Sequence, residues 1–66
     1  MHITVNGDRR DVPGPLSITD LLRELGFGER RVAVEVNLEI VPRSRHGSHQ
    51  LQDGDRVELV QAIGGG

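Results

Sequence analysis

Apolar and polar positions alternate from the first residue. Met1, Ile3 and Val5 fall on one face and His2 and Thr4 on the other, the period of a half-buried strand. Asn6-Gly7 comes next, a pair tolerant of positive φ and suited to a tight type I′ turn. That register sets Val5 against Asp8 and Met1 against Val12. The second strand, Asp8 to Val12, is mostly charged and runs into Pro13, a composition that protects a sheet edge from unwanted pairing. The period then changes. Ile18, Leu21, Leu22 and Leu25 fall at i, i+3, i+4 and i+7, one continuous helical stripe. The pattern predicts a helix over 17–25, with Ser17 as N-cap and Asp20 at N3, close to a capping box. Leu16 and Leu21 occupy the staple positions, while Gly26 fits C′ and Phe27 fits C″, packing back on the helix.

Alternation returns at Val32, Val34 and Val36, a third strand. Asn37-Leu38-Glu39 turns the chain into a short strand, Ile40-Val41, ended by Pro42. Residues 43–50 are polar and irregular, with room for one helical turn, and Asp53-Gly54-Asp55 is a turn signal. The last strand, Val57 to Ile63, is apolar on both faces in part, as a central strand is. The order β-β-α-β-β-β gives one helix to cover one face of a mixed sheet of four to five strands. The crossover through the helix allows the first and last strands to pair in parallel. The fold class expected is α+β, a β-grasp or ubiquitin-like arrangement, with a domain over 1–63 and a flexible glycine tail over 64–66.

Composition narrows the function. The 66 residues allow one small domain. Val, Leu and Ile dominate the apolar set, so the core is aliphatic, and Phe27 is the only aromatic residue. Stacking on single-stranded nucleic acid needs several rings, which argues against such a partner. Eight basic against ten acidic residues leave a net charge of −2, without the basic surplus of a duplex binder. The chain has no cysteine, which removes disulfides, thiolate nucleophiles and cysteine-based zinc sites. No apolar run approaches the roughly 20 residues of a membrane span. A strand pattern from Met1 onward leaves no room for a signal peptide, so the expected location is cytoplasmic. All eight basic residues are Arg; without Lys, a glycine-tailed modifier of this sequence cannot form isopeptide chains with itself.

Candidate chemistry concentrates at the carboxyl end, where Gly64, Gly65 and Gly66 come after Ile63. Glycine has no Cβ, so this segment is thin and flexible. Three extended residues reach about 10 Å beyond the sheet, enough to thread a narrow channel in another protein. A terminal carboxylate is ionised at neutral pH. It is a competent nucleophile toward the α-phosphate of ATP when an enzyme supplies metal and phosphate-binding groups. The acyl-adenylate that results is open to attack by sulfur or nitrogen. Beside the tail, Val60, Ala62 and Ala33 are expected to point away from the helix, forming a modest apolar patch for docking together with Ile63. Other candidates carry less. His46 and His49 sit at i, i+3 without an obvious third ligand and read as part of a solvated loop. Asp53-Gly54-Asp55 lacks the ligand pattern of a calcium loop and reads as a plain turn. Ser17, Ser44 and Ser48 lie in no G-x-S-x-G motif, and so short a chain does not enclose a catalytic cleft, so the expectation is no intrinsic catalysis and no bound metal or cofactor.

ITVNG, TDLLRELG, VAVEVN followed by EIVPR, and LQDGDRVELVQAIGGG together resemble the ThiS family, the sulfur carriers of thiamin biosynthesis, over nearly the whole chain. The joined DGD-R-V-E and terminal glycines are the most specific part. The resemblance implies that an E1-like adenylyltransferase of the ThiF type activates the terminal carboxylate with ATP and Mg. Sulfur, ultimately from cysteine through a desulfurase, then converts it to a thiocarboxylate, and a thiazole synthase of the ThiG type takes that sulfur into the thiazole ring. The family's reactive glycine maps to Gly66 and its partner glycine to Gly65, with Gly64 extending the motif. Leu38 departs from the family pattern, in which glycine often follows the asparagine. Related carriers leave alternatives open: the small subunit of molybdopterin synthase, a carrier for another sulfur metabolite, or a non-covalent β-grasp interaction module. A carrier of this kind is expected to be monomeric on its own.

Overall fold

The computed structural model describes residues 1–28 and 30–61. The elements are β1 (His2–Val5), β2 (Asp8–Asp11), α1 (Ile18–Glu24), β3 (Val32–Val36), β4 (Glu39–Val41), a 3-10 turn at Arg43–Arg45, and β5 (Arg56–Gln61). The five strands form one sheet in the order β2-β1-β5-β3-β4. β5 pairs in parallel with β1 and antiparallel with β3, so it is the central strand. The first hairpin has the register its sequence predicts, Val5 opposite Asp8. Met1 and Val12 exchange backbone bonds of 2.8 and 2.9 Å just beyond it. This is the α+β, β-grasp architecture expected from the pattern.

Helix α1 forms because both ends are closed locally and one face is apolar. Ser17 Oγ accepts from the Asp20 N–H at 3.0 Å, and Asp20 Oδ2 accepts from the Ser17 N–H at 3.3 Å, completing the capping box. At the other end the Phe27 N–H donates to Leu22 O and the Gly26 N–H to Arg23 O, the paired bonds of a Schellman stop. That stop needs a left-handed residue, and Gly26 has φ +88°. Ile18, Leu21 and Leu22 are buried against the inward face of the sheet, formed by Ile3, Val5, Val34, Val57 and Leu59. Burial at roughly 25 cal/mol per Å² of apolar surface is the main favourable term for so small a domain.

Two details differ from the pattern-based reading. The β3–β4 connection is a two-residue turn, Asn37-Leu38, with Glu39 already paired to Val36. Leu38 therefore takes φ +71°, a left-handed conformation that costs a side-chain-bearing residue about 1–2 kcal/mol. The Asn37 side chain holds the turn in place. Its Nδ2 donates to Asp55 Oδ1 at 3.0 Å, and its Oδ1 accepts from the Arg56 N–H at 2.9 Å. Leu38 is 72% exposed, so no burial offsets its strain. Leu38→Gly is expected to raise the urea midpoint, the relief exceeding a backbone entropy loss of up to about 1 kcal/mol. A lower midpoint would show that Leu38 makes a stabilising contact.

The second difference is the segment after β4. It is largely exposed and holds one helical turn, as expected, but its backbone also caps the helix and His46 is buried. Ile18 N–H donates to His49 O and Thr19 N–H to His46 O, satisfying helix-start donors that have no partner within the helix. His46 is 6% exposed, with Nε2 3.0 Å from Val41 O, and Leu51 is buried in the core. The Asp53-Gly54-Asp55 turn is pinned to β1: Asp53 Oδ1 accepts from the His2 N–H at 2.7 Å, and the Gly54 N–H donates to His2 O.

Candidate functional site

The site that the sequence singles out is the end of β5 together with the tail beyond it. β1 stops at Val5, opposite Val57, while β5 runs on to Gln61. Past that point β5 is held on one side by β3, through Val34↔Leu59, Ala33↔Val60 and Val32↔Gln61. On the other side the Leu59 N–H donates to Asn6 Oδ1 at 2.8 Å. The hairpin asparagine thus extends the ladder by one bond after its own strand has turned away. β5 is thus held by β3 as far as Gln61, its last residue, five residues before Gly66. Ala62, Ile63, Gly64, Gly65 and Gly66 lie outside the described residues, so the expected tail site and two of the three expected docking residues are not placed.

Val60 is placed, and it is 60% exposed on the face of the sheet away from α1. The alternation that buries Val57 and Leu59 turns Val60 outward, and its partner Ala33 is exposed as well. Ile40 extends the same surface. It stands opposite Glu35 on β4, is 75% exposed, and lines a shared hollow of about 560 Å³ with Val60 and Ala33. Ile40 is a patch residue that the sequence pattern did not single out. Its signal was the alternation of Ile40 with Val41: with Val41 turned to the core, Ile40 cannot be. Exposed apolar residues gathered on one face mark an interaction surface more strongly than scattered ones.

The weaker candidates have structural roles. Ser17 Oγ caps the helix and Ser48 Oγ donates to Arg45 O. His46 is bonded to Val41 O, and His49 contributes its carbonyl to Ile18. Among the described residues, no three His, Cys, Asp or Glu side chains are arranged to hold a metal ion. No helix among them is long and apolar enough to cross a membrane.

Comparison with known proteins bears directly on the tail. The family model described as "ThiS family" matches residues 3–66, the glycines included. The chain belongs to the ThiS family. It is 33% identical to the sulfur carrier protein ThiS of Escherichia coli, over the whole of both chains. The crystal structure of the ThiS thiamine biosynthesis protein from Geobacter metallireducens superposes with a TM-score of 0.84 at 38% identity, again over all of both chains. The chain is also 46% identical to a region of a thiazole synthase from Paramagnetospirillum magneticum, of whose length it spans 20%. A thiazole synthase from Magnetococcus marinus gives the same 20% coverage at 39% identity. In this ThiS-family chain the β-grasp body is the described part, and the glycine end that the sequence singles out lies beyond Gln61.

Proposed function

We propose that this chain is a sulfur carrier of thiamin biosynthesis, with the carbonyl carbon of Gly66 as the reactive centre. The Gly66 carboxylate attacks the α-phosphate of ATP in the active site of an E1-like adenylyltransferase, pyrophosphate leaves, and an acyl-adenylate forms. A persulfide, its outer sulfur drawn ultimately from cysteine by a desulfurase, attacks the acyl carbon and displaces AMP; a thiol then cleaves the acyl disulfide, leaving the thiocarboxylate and a new disulfide. Thiazole synthase accepts that sulfur. ATP and Mg belong to the activating enzyme, and the chain is the cosubstrate, working in the cytoplasm.

The observation that carries this reading is the ThiS-family match through residue 66, on a domain whose central strand ends at Gln61. The match of this chain to part of two proteins named thiazole synthase supports that enzyme as the sulfur acceptor. The capping and packing roles of Ser17, Ser48 and His46 fit a carrier whose chemistry is supplied by others. Gly64 and Gly65 serve as the thin stem that enters the partner's channel, and Val60, Ala62 and Ile63 form the docking patch at its base.

The test is ATP–pyrophosphate exchange by the cognate adenylyltransferase with the intact chain as substrate. Exchange that depends on the chain supports the reading, and none at any concentration refutes it. Val60→Asp is expected to lower exchange efficiency about tenfold, the scale of a single interface anchor. Since Val60 is exposed, it should change folding stability by no more than about 1 kcal/mol. Unchanged efficiency would remove Val60 from the docking surface.

A further inference from the structure

The net charge of −2 is unevenly distributed. No acidic residue occurs between Glu39 and Asp53, while Arg43, Arg45, His46 and His49 do. Arg30 and Arg31 immediately precede β3 and are exposed. The fold brings these segments together. Arg23, Arg30 and Arg43 line a hollow of about 340 Å³ with Val32 and His46 in its wall. The larger apolar hollow containing Ala33, Ile40 and Val60 shares Val32, Arg43 and His46 with it and carries Arg31 on its border. The result is an apolar floor with arginines along one side. Among the described residues, Asp20 is ion-paired with Arg23 at 3.8 Å, Glu35 and Glu39 border Ile40 on β3 and β4, and Glu58 stands opposite Glu35 on β5; none of these four flanks Arg30 or Arg31 in sequence, and Glu29 lies outside the described residues.

The position of this surface matters as much as its charge. Val32 pairs with Gln61, so the arginine-edged floor abuts the place where the chain leaves β5 for the tail. Arginine is well suited to such a rim: its planar fork takes a carboxylate with two parallel bonds, and its stem lies on apolar surface without burying the charge. An apolar centre with a charged, solvent-accessible border is also the ordinary anatomy of a protein–protein interface. A small anion would gain nothing from the exposed floor of Ala33, Ile40 and Val60.

Resting on the sulfur-carrier reading, we propose that Arg30 and Arg31 dock carboxylates on the surface of the activating adenylyltransferase and orient the chain for tail insertion. The acidic contact acts mainly on the encounter and therefore weakens with salt.

The experiment is calorimetric titration of the intact chain into that enzyme at low and high salt, with two charge-matched double variants. Arg30→Glu with Arg31→Glu is expected to weaken binding about tenfold at low salt and to flatten the salt dependence. Arg9→Glu with Arg10→Glu, on β2 at the opposite edge of the sheet, is expected to bind as wild type. All four arginines are exposed, and circular dichroism should show both variants folded. Wild-type affinity and salt dependence in the 30/31 variant would overturn the proposal, as would an equal loss in the 9/10 variant, which would indicate net charge alone. Saturable binding of inorganic phosphate, read from amide shifts at Arg30 and Val32, would overturn it in favour of a small-anion site. An intact chain that supports exchange while the 30/31 variant binds normally defeats only the docking surface; an intact chain that supports no exchange defeats the functional reading itself.

Discussion

A chain lacking Gly65 and Gly66 gives no ATP–pyrophosphate exchange above background and unfolds at the same urea concentration as the intact protein. The two halves of this expectation have separate physical causes. Stability resides in the aliphatic core, whose buried members among the described residues run from Ile3 to Leu59. Gly65 and Gly66 carry no side chain, so shortening the tail takes no apolar side chain from that core. Activity, in contrast, depends on where the carboxylate is. Losing two extended residues withdraws it by about 7 Å, and a nucleophile must sit within about 3–3.5 Å of the phosphorus it attacks. The truncated chain still ends in a carboxylate and still presents Val60, so it is expected to bind the enzyme and compete with the intact chain. Gly66→Ala separates reach from width. It keeps the carboxylate in place but adds a Cβ, so a large loss of exchange in this variant measures how narrow the channel is. Normal exchange by the truncated chain would move the reactive centre off the tail.

Leu21→Ala is expected to remove a large share of the protein's folding stability. Leu21 is 1% exposed, where helix stripe and hydrophobic staple meet, with Leu16 buried beside it at the helix entrance. Removing a buried leucine side chain costs about 2–5 kcal/mol through lost transfer energy and the cavity left behind. A domain of this size holds a total stability of roughly 3–10 kcal/mol, so the substitution consumes much of it. The measurement is urea unfolding followed by far-ultraviolet circular dichroism. A loss under about 1 kcal/mol would mean that the helix contributes far less to the core than its burial implies.

The tail and the helix also mark how much the sequence disclosed. Local signals were sufficient wherever a pattern closes on itself. The stripe at Ile18, Leu21, Leu22 and Leu25, the Ser17–Asp20 box and the Gly26-Phe27 stop are contained within a dozen residues, and each appears in the structure as read. The same holds for the Asn6-Gly7 hairpin and its register. Sequence reasoning failed where a residue's partner is distant or its role is tertiary. His46 looked solvated because nothing near it in sequence announces that the free N–H groups of Ile18 and Thr19 need carbonyls from this segment. Leu38 looked like part of a longer turn because leucine disfavours positive φ. Only the Asn37 side chain reaching Asp55 and Arg56, eighteen and nineteen residues on, explains the tight turn. The candidate site divides in the same way. The exposure of Val60 was legible from alternation, whereas the glycines lie outside the described residues. The extension of the patch to Ile40, and its flanking arginines, required the sheet order that sets β4 beside β3.

The central claim concerns a single atom: one oxygen at the end of the chain is exchanged for sulfur. Intact-mass analysis of the protein incubated with its adenylyltransferase, ATP, Mg and a sulfur donor tests it directly. The expected result is a mass gain equal to one oxygen-to-sulfur exchange, dependent on ATP and mapped by fragmentation to Gly66. An unchanged mass under conditions in which the same enzyme converts an authentic ThiS, or a sulfur mapped elsewhere on the chain, would contradict it.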